Sequence, residues 1–237
     1  MITTQSAAQP PSAAFLKRVP LFAQLPDDLV NRMAQDFRQF TYPRGNIIFH
    51  QGEVGRALYI IASGKVRIFK TTPDGRETTT NIFTTGDIFG EFAIFDQLPR
   101  SASAKTLTKC DLLQISDVDF MRHFCTRSEL AVATAQLLAG KARWTAMIAE
   151  ALAQYDTTSR LVRILLLYVE QFGEKQTESK YVLEWGLTQS DLASLLGVRR
   201  EWLNQILTQW RKRKLLTFEE GTLTVLNLPR LLAETKS

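Results

Sequence analysis

Between about residue 40 and residue 115 the apolar residues keep the short rhythm of strands. From about residue 128 they recur every seven positions. This change of period divides the chain into parts that must fold differently. In NIIFHQGEVGRALYIIASGKVRIFKTTPDGRETTTNIF (46–83), β-branched and aromatic residues stand between Gly52, Gly55, Gly64 and the PDG turn at 73–75, the punctuation of a compact β-barrel or sandwich. Further on, Leu130, Leu137, Trp144 and Ala151 are spaced by seven, with Ile148 and Tyr155 one turn beyond the last two. About 28 residues of helix would run roughly 42 Å. Gly140 inside it costs about 1 kcal/mol relative to alanine, so packing must compensate. The stripe fits a helix lying on its own barrel or one paired with the same helix of a second subunit, and a seven-residue repeat favours the pair.

At 237 residues, with 45% hydrophobic and 22% charged side chains, the chain has material for two domain cores. Cys110 and Cys125 are the only cysteines; there is no CxxC pair and no histidine at zinc-ligand spacing, so neither a disulfide scaffold nor a metal site is expected. MITTQSAAQPPSAAF lacks the basic and apolar regions of a signal peptide, and LVRILLLYV (161–169) is too short to span a bilayer and carries Arg163. A cytoplasmic protein without a membrane partner is expected. Residues 1–14 read as a disordered tail, and 15–37 as helical, with a start at Pro26-Asp27-Asp28. DTTS (156–159) breaks the long helix with capping residues and marks the expected hinge.

LTQSDLASLLGVRREWLNQILTQWRKRKLL (187–216) carries the clearest local signal. Thr188 and Asp191 form a capping-box-like start, Leu192, Leu195 and Leu196 an apolar stripe, and Gly197 sits where a turn needs positive φ. Leu203, Ile206, Leu207 and Trp210 give the second helix one buried face. Arg199, Arg200, Glu201, Asn204 and Gln205 then face outward. These are base-reading types: arginine for guanine, asparagine or glutamine for adenine, glutamate for cytosine. Gln189 opens the first helix as a further DNA contact, and Lys212 is expected at phosphate. Six Lys or Arg against one Glu between Arg199 and Lys214 give that segment a net charge of +5, equal to the whole chain's excess. Two strands around an EEG turn follow in KLLTFEEGTLTVL (214–226), the pattern of a wing, and duplex DNA is the expected partner.

FGEFAIFDQLPRSASA (89–104) carries Glu91 and Arg100 among Phe89, Phe92, Ile94, Phe95 and Leu98. Buried carboxylate and guanidinium groups each need a partner. An internal Glu91–Arg100 ion pair would satisfy both. Alternatively Arg100 and Ser101 hold the phosphate of a guest anion, with free N–H groups of Phe92 and Ala93 at a helix start, Gly90 admitting close approach, and Glu91 accepting from a sugar hydroxyl.

Over residues 15 to about 230 the chain resembles the CRP/FNR family of bacterial transcription regulators, through the glycine-punctuated FHQGEVGRALYIIASGKVRIF, the Gly-Glu to Pro-Arg-Ser-Ala cassette and the helix-turn-helix. The resemblance implies an α+β chain: a jelly-roll-like β-roll over 15–127 that binds a cyclic nucleotide, a dimerisation helix over 128–156, and a winged helix-turn-helix over 157–237. It implies a cytoplasmic homodimer whose DNA affinity is controlled by an allosteric effector, with cyclic AMP favoured, and RNA polymerase as a further partner. Thr145 falls where the family's long helix reaches the base, although Ala146 stands where a second hydroxyl often follows. An alternative is the same regulator with another effector, or none, its cassette being a structural ion pair. No N-terminal cysteine group for an iron–sulfur cluster occurs, and His50 and His123 read as surface or packing, so no prosthetic group is expected. GxSxG, HExxH, Walker A and a Cys–His pair are absent, and an enzyme is not expected.

Overall fold

Period-2 burial with glycine turns makes the N-terminal half a pair of antiparallel sheets. The computed structural model describes residues 4–5 and 11–235 and divides them into two units, one ending at Ala142 and the other beginning at Arg143. The first contains β1 (Thr4–Gln5), α1 (Ala13–Leu16), α2 (Asp27–Ala34), β2 (Arg38–Tyr42), β3 (Ile47–Phe49), β4 (Ala57–Ser63), β5 (Val66–Thr71), β6 (Glu77–Phe83) and β7 (Ile88–Phe89). These are followed by α3 (Phe92–Phe95), β8 (Ser103–Thr106), β9 (Cys110–Ser116), α4 (Asp117–Phe124) and the start of α5 (Ser128–Gln154). One sheet has the order β1-β2-β9-β4-β7, the other β3-β8-β5-β6.

Strand β4 shows why its sequence is continuously apolar. Tyr59 and Ile61 face the layer between the sheets with Phe49, Val66, Phe89 and Leu112. Leu58 and Ile60 face the opposite layer with Leu29, Met33 and Phe120. Both faces of the strand are covered, so alternation disappears; burying each large side chain contributes about 1.5–3 kcal/mol. The helical stretch expected over 15–37 is two short helices joined by turns, because Pro20 and Pro26 interrupt it. Of the expected disordered tail, residues 1–3 and 6–10 lie outside the described residues. Thr4–Gln5 pairs with β2, and Ser12 caps α1 by accepting from Phe15 N.

The seven-residue stripe is buried by its own chain. Leu130 belongs to the layer beneath β4, and Leu137 packs against it. Ile148 and Ala151 are buried, and Trp144 meets Tyr168 edge-on at 5.2 Å. The expectation that this stripe forms the subunit interface is therefore corrected: the more apolar face of α5 covers the chain's own cores, the barrel unit's at Leu130 and Leu137, as in the helix-on-barrel alternative, and the second unit's from Trp144 on.

The second unit contains the end of α5, then α6 (Thr157–Phe172), β10 (Glu174–Lys175), β11 (Tyr181–Glu184), α7 (Gln189–Leu196), α8 (Arg200–Lys212), β12 (Leu216–Glu219), β13 (Thr222–Val225) and α9 (Leu228–Leu232). The wing is larger than the two expected strands, a sheet of order β10-β11-β13-β12. Asp156 breaks the long helix as expected, its Oδ1 accepting from Thr158 N and Ser159 N at 2.9 and 3.2 Å. The boundary between units nevertheless lies upstream of DTTS, inside α5, because Trp144, Ile148 and Ala151 pack into the second unit.

Candidate effector and nucleic-acid sites

Arg100 is 6% exposed, and the fold makes room for it with two glycines. A Cβ on Gly55 would lie 2.8 Å from Arg100 Cζ and 2.6 Å from Ala93 Cβ; one on Gly90, whose φ is +84°, would lie 2.6 Å from Arg100 Nη1. The guanidinium sits over the Phe49 ring at 4.2 Å and donates through Nη1 to Gly90 O at 2.6 Å and through Nη2 to Ala57 O at 2.7 Å. An arginine carries five N–H donors, so these two bonds orient the group and leave donors for a further acceptor. Burial pulls the Arg100 pKa below its ordinary value, offset in part by Tyr59, Glu91 and Glu53.

The postulated Glu91–Arg100 ion pair does not form. Glu91, 3% exposed, instead accepts from Lys141 Nζ at 2.7 Å, and that ammonium also donates to Ile88 O at 2.6 Å. Lys141 comes from α5, fifty positions along the chain. No carboxylate among the described residues lies within ion-pairing distance of Arg100. Arg67 supplies the contrast. Equally buried, it donates to Glu77 Oε2 and Thr79 Oγ1, each at 2.7 Å. One buried guanidinium thus has a protein carboxylate and the other only neutral carbonyls, which cannot cancel its charge.

Around Arg100, the first N–H groups of α3, at Phe92 and Ala93, have no intrahelical acceptor. Ser101 is exposed. Gly90, Glu91, Phe92, Ala93, Arg100 and Ser101 are therefore brought together as expected. Thr145 is exposed on α5 in the second unit. Phe49, Tyr59 and Lys141 were not singled out from the sequence, and Gly55 was read only as a turn residue. Their signal, a glycine too many in the β3–β4 turn and a lone lysine in an alanine-rich helix, is visible only once the partner is known.

The helix-turn-helix follows the sequence closely. Thr188 and Asp191 form a reciprocal capping box, with Thr188 N donating to Asp191 Oδ2 at 2.9 Å and Asp191 N donating to Thr188 Oγ1 at 3.1 Å. Gly197 is left-handed, with φ +64°. Leu203, Leu207 and Trp210 are buried under α8, while Arg199, Arg200, Glu201, Asn204 and Gln205 are exposed along one side of its first two turns. None of these five side chains, nor Lys212, has a hydrogen-bond or ion-pair partner among the described residues. Gln189 is half-buried at the start of α7. Arg213 differs: it forks onto Glu234, with bonds of 2.7 and 2.5 Å.

A β-sheet unit with a glycine-walled buried arginine, a long helix and a winged helix-turn-helix make up a two-part chain. Residues 39–126 match the cyclic nucleotide-binding domain and residues 159–234 the Crp-like helix-turn-helix domain. The chain is similar to the CRP-like cAMP-activated global transcriptional regulator of Mycobacterium tuberculosis, at 32% identity over 91% of this chain and 96% of the relative. It is also similar to the cyclic AMP receptor protein of Thermus thermophilus, at 30% identity over 89% of this chain and 94% of the relative. Among solved structures it resembles the c-di-GMP responsive regulator CLP of Xanthomonas campestris, with TM-score 0.72 and 26% identity over 85% of this chain and 99% of that one. The chain belongs to the CRP/FNR family of transcription regulators, DNA-binding proteins with a cyclic-nucleotide-binding domain, and the family is not one of enzymes.

Proposed function

We propose that this chain is a homodimeric transcription regulator whose affinity for specific DNA is raised by cyclic AMP bound at the Arg100 cassette. The observation that carries the reading is a buried guanidinium with no carboxylate at ion-pairing distance among the described residues, beside a buried glutamate already neutralised by Lys141. The local excess is one positive charge. A cyclic phosphodiester brings one negative charge, Ser101 and the α3 amides can donate to its oxygens, and the second oxygen of Glu91 can accept from a ribose hydroxyl. The cyclic AMP named for the M. tuberculosis and T. thermophilus relatives supports adenine; the dinucleotide named for the X. campestris protein is the alternative effector to be compared. Thr145 is assigned to the base edge, and no step needs a prosthetic group.

For the dimer, α5 offers a second stripe. Ala135, Leu138, Ala142, Thr145 and Ala149 alternate in steps of three and four, and all but the half-buried Leu138 are exposed. Small residues at such spacing let two helices approach closely. Ala135→Glu is expected to shift the chain from dimer to monomer in sedimentation experiments; an unchanged dimer would place the interface elsewhere. A dimer presents two α8 helices to half-sites roughly 34 Å apart. RNA polymerase is then the further partner through which bound protein alters transcription.

The test of the effector is fluorescence anisotropy of a labelled operator duplex with and without cyclic AMP. Tightening by about 5- to 150-fold is expected. Equal affinity in both conditions would leave a constitutive regulator or one with another trigger. On the DNA side, Arg200→Ala is expected to cost about 1–3 kcal/mol and relax preference at one base pair, whereas Lys212→Ala weakens binding to all sequences and lowers the salt slope by about one. Competition binding over a single-substitution operator series distinguishes the two; a sequence-selective loss at Lys212 would contradict its phosphate role.

A further inference from the structure

We infer that Trp202 holds the DNA backbone, its indole ring lying on a deoxyribose and its Nε1–H donating to a phosphate oxygen on the groove wall away from the wing. The inference rests on the DNA-reading helix described above and adds a contact to it. The chain has four tryptophans. Trp144, Trp185 and Trp210 have their Nε1 sealed from solvent with no hydrogen-bond partner among the described residues. Trp202 alone keeps its N–H at the surface: the residue is half-buried, and among the described residues no hydrogen bond, ring contact or ion pair engages it. A ring that served only as packing would be sealed as Trp210 is, at 0% exposure on the same helix.

An α-helix turns by about 100° per residue, which gives α8 a buried side, an outer side and two flanks. Leu203, Leu207 and Trp210 form the buried side. Glu201, Gln205, Thr208 and Lys212 project opposite to it, all exposed. Between them, Arg200, Asn204 and Arg211 share one flank, and Trp202, Ile206 and Gln209 share the other. Arg211 pairs with Glu219 of β12 at 3.6 Å, which turns the cationic flank toward the wing. The Trp202 flank carries no charge. A major groove about 12 Å wide receives a helix about 10–12 Å across, so both flanks meet a wall of sugars and phosphates. On the wing side arginines face that wall. On the other side the first turn offers a large apolar ring and one neutral donor, groups that suit a deoxyribose face and a single phosphate oxygen. An indole has one donor and no acceptor. Both A·T and G·C present acceptors to such a donor, so Trp202 cannot tell them apart. It fixes how α8 seats in the groove and leaves sequence to the residues beside it.

The experiment joins acrylamide quenching of tryptophan emission in the full chain, with and without operator duplex, to anisotropy titrations of two variants. Duplex is expected to shield the quenchable part of the wild-type emission, and Trp202→Phe to remove that part in the free protein. Trp202→Phe keeps a ring and loses the N–H, and affinity should fall about 5- to 20-fold; Trp202→Ala loses both, and the fall should reach about 30-fold or more. The factor should be the same across the single-substitution operator series. The salt slope should stay at its wild-type value, unlike that of Lys212→Ala, because a neutral group releases no counterion. A loss confined to one base pair, or one that vanishes when deoxyuridine replaces thymidine, would overturn the inference in favour of base reading. Emission equally quenchable on and off the duplex would overturn it too, as would wild-type affinity in Trp202→Phe. The quenching arm on the wild type decides even where a substitution unfolds the second unit. A wild type that binds no duplex at all would sink the DNA-reading assignment of α8, and this contact with it.

Discussion

Arg100→Met is expected to abolish cyclic AMP binding while leaving the free protein folded. Removing the charged partner of a desolvated phosphate costs about 2–5 kcal/mol, which weakens binding by roughly 30- to 5,000-fold. The effect on folding should be small, because methionine fills part of the same space and relieves a buried charge that no carboxylate among the described residues pairs with directly. Gly90 O and Ala57 O lose their donor, an opposing cost of about 1–3 kcal/mol. Thermal melts with and without cyclic AMP check both halves: the wild type gains melting temperature on adding the nucleotide, and the variant melts near the free wild type and gains nothing. A variant destabilised by several kcal/mol that still responds to nucleotide would mean that Arg100 is a structural group.

The second large effect is expected from Gly55→Ala. Adding one methyl group normally does little in a loop, but here it would lie 2.6 Å from Ala93 Cβ and 2.8 Å from the Arg100 head group. The start of α3 and the guanidinium must both yield, and these carry the donors for phosphate. Overpacking of this kind costs about 1–3 kcal/mol of stability, and displacing a charged donor by even 1 Å removes a charge-assisted bond, so binding should weaken by about one to two orders of magnitude. Gly52→Ala is the comparison, since a Cβ there would meet nothing although the backbone is left-handed. Equilibrium dialysis with labelled cyclic AMP should show a far larger loss for Gly55→Ala; equal losses would mean that backbone conformation, not space around Arg100, matters.

The parts legible in the sequence are those written locally. The capping box at Thr188, the left-handed Gly197 and the buried Leu203, Leu207 and Trp210 lie within twenty-three residues, and each follows from near-neighbour stereochemistry. The cassette was legible for the same reason, as residues 90–101 are contiguous. Partnership across the chain was not. Glu91 could have paired with Arg100, nine positions away, and the sequence offers no sign that Lys141 reaches it first. Periodicity misled in the long helix because α5 carries two stripes of nearly equal repeat; the spacing of Leu130, Leu137 and Ala151 cannot say whether the chain itself or a partner covers them. The DTTS break marked the end of the long helix correctly, because Asp156 caps the helix that follows by accepting from Thr158 N and Ser159 N.

Titration calorimetry of the purified protein with cyclic AMP and, separately, with 5′-AMP tests the anion-receptor account most directly. The two ligands share base and sugar and differ in the charge and shape of the phosphate, the part assigned to Arg100. One cyclic AMP per chain is expected, with 5′-AMP weaker by about tenfold or more, since its second charge finds no further cation. No heat with cyclic AMP, or equal affinity for the two, would contradict the claim that a single phosphodiester charge completes this buried guanidinium.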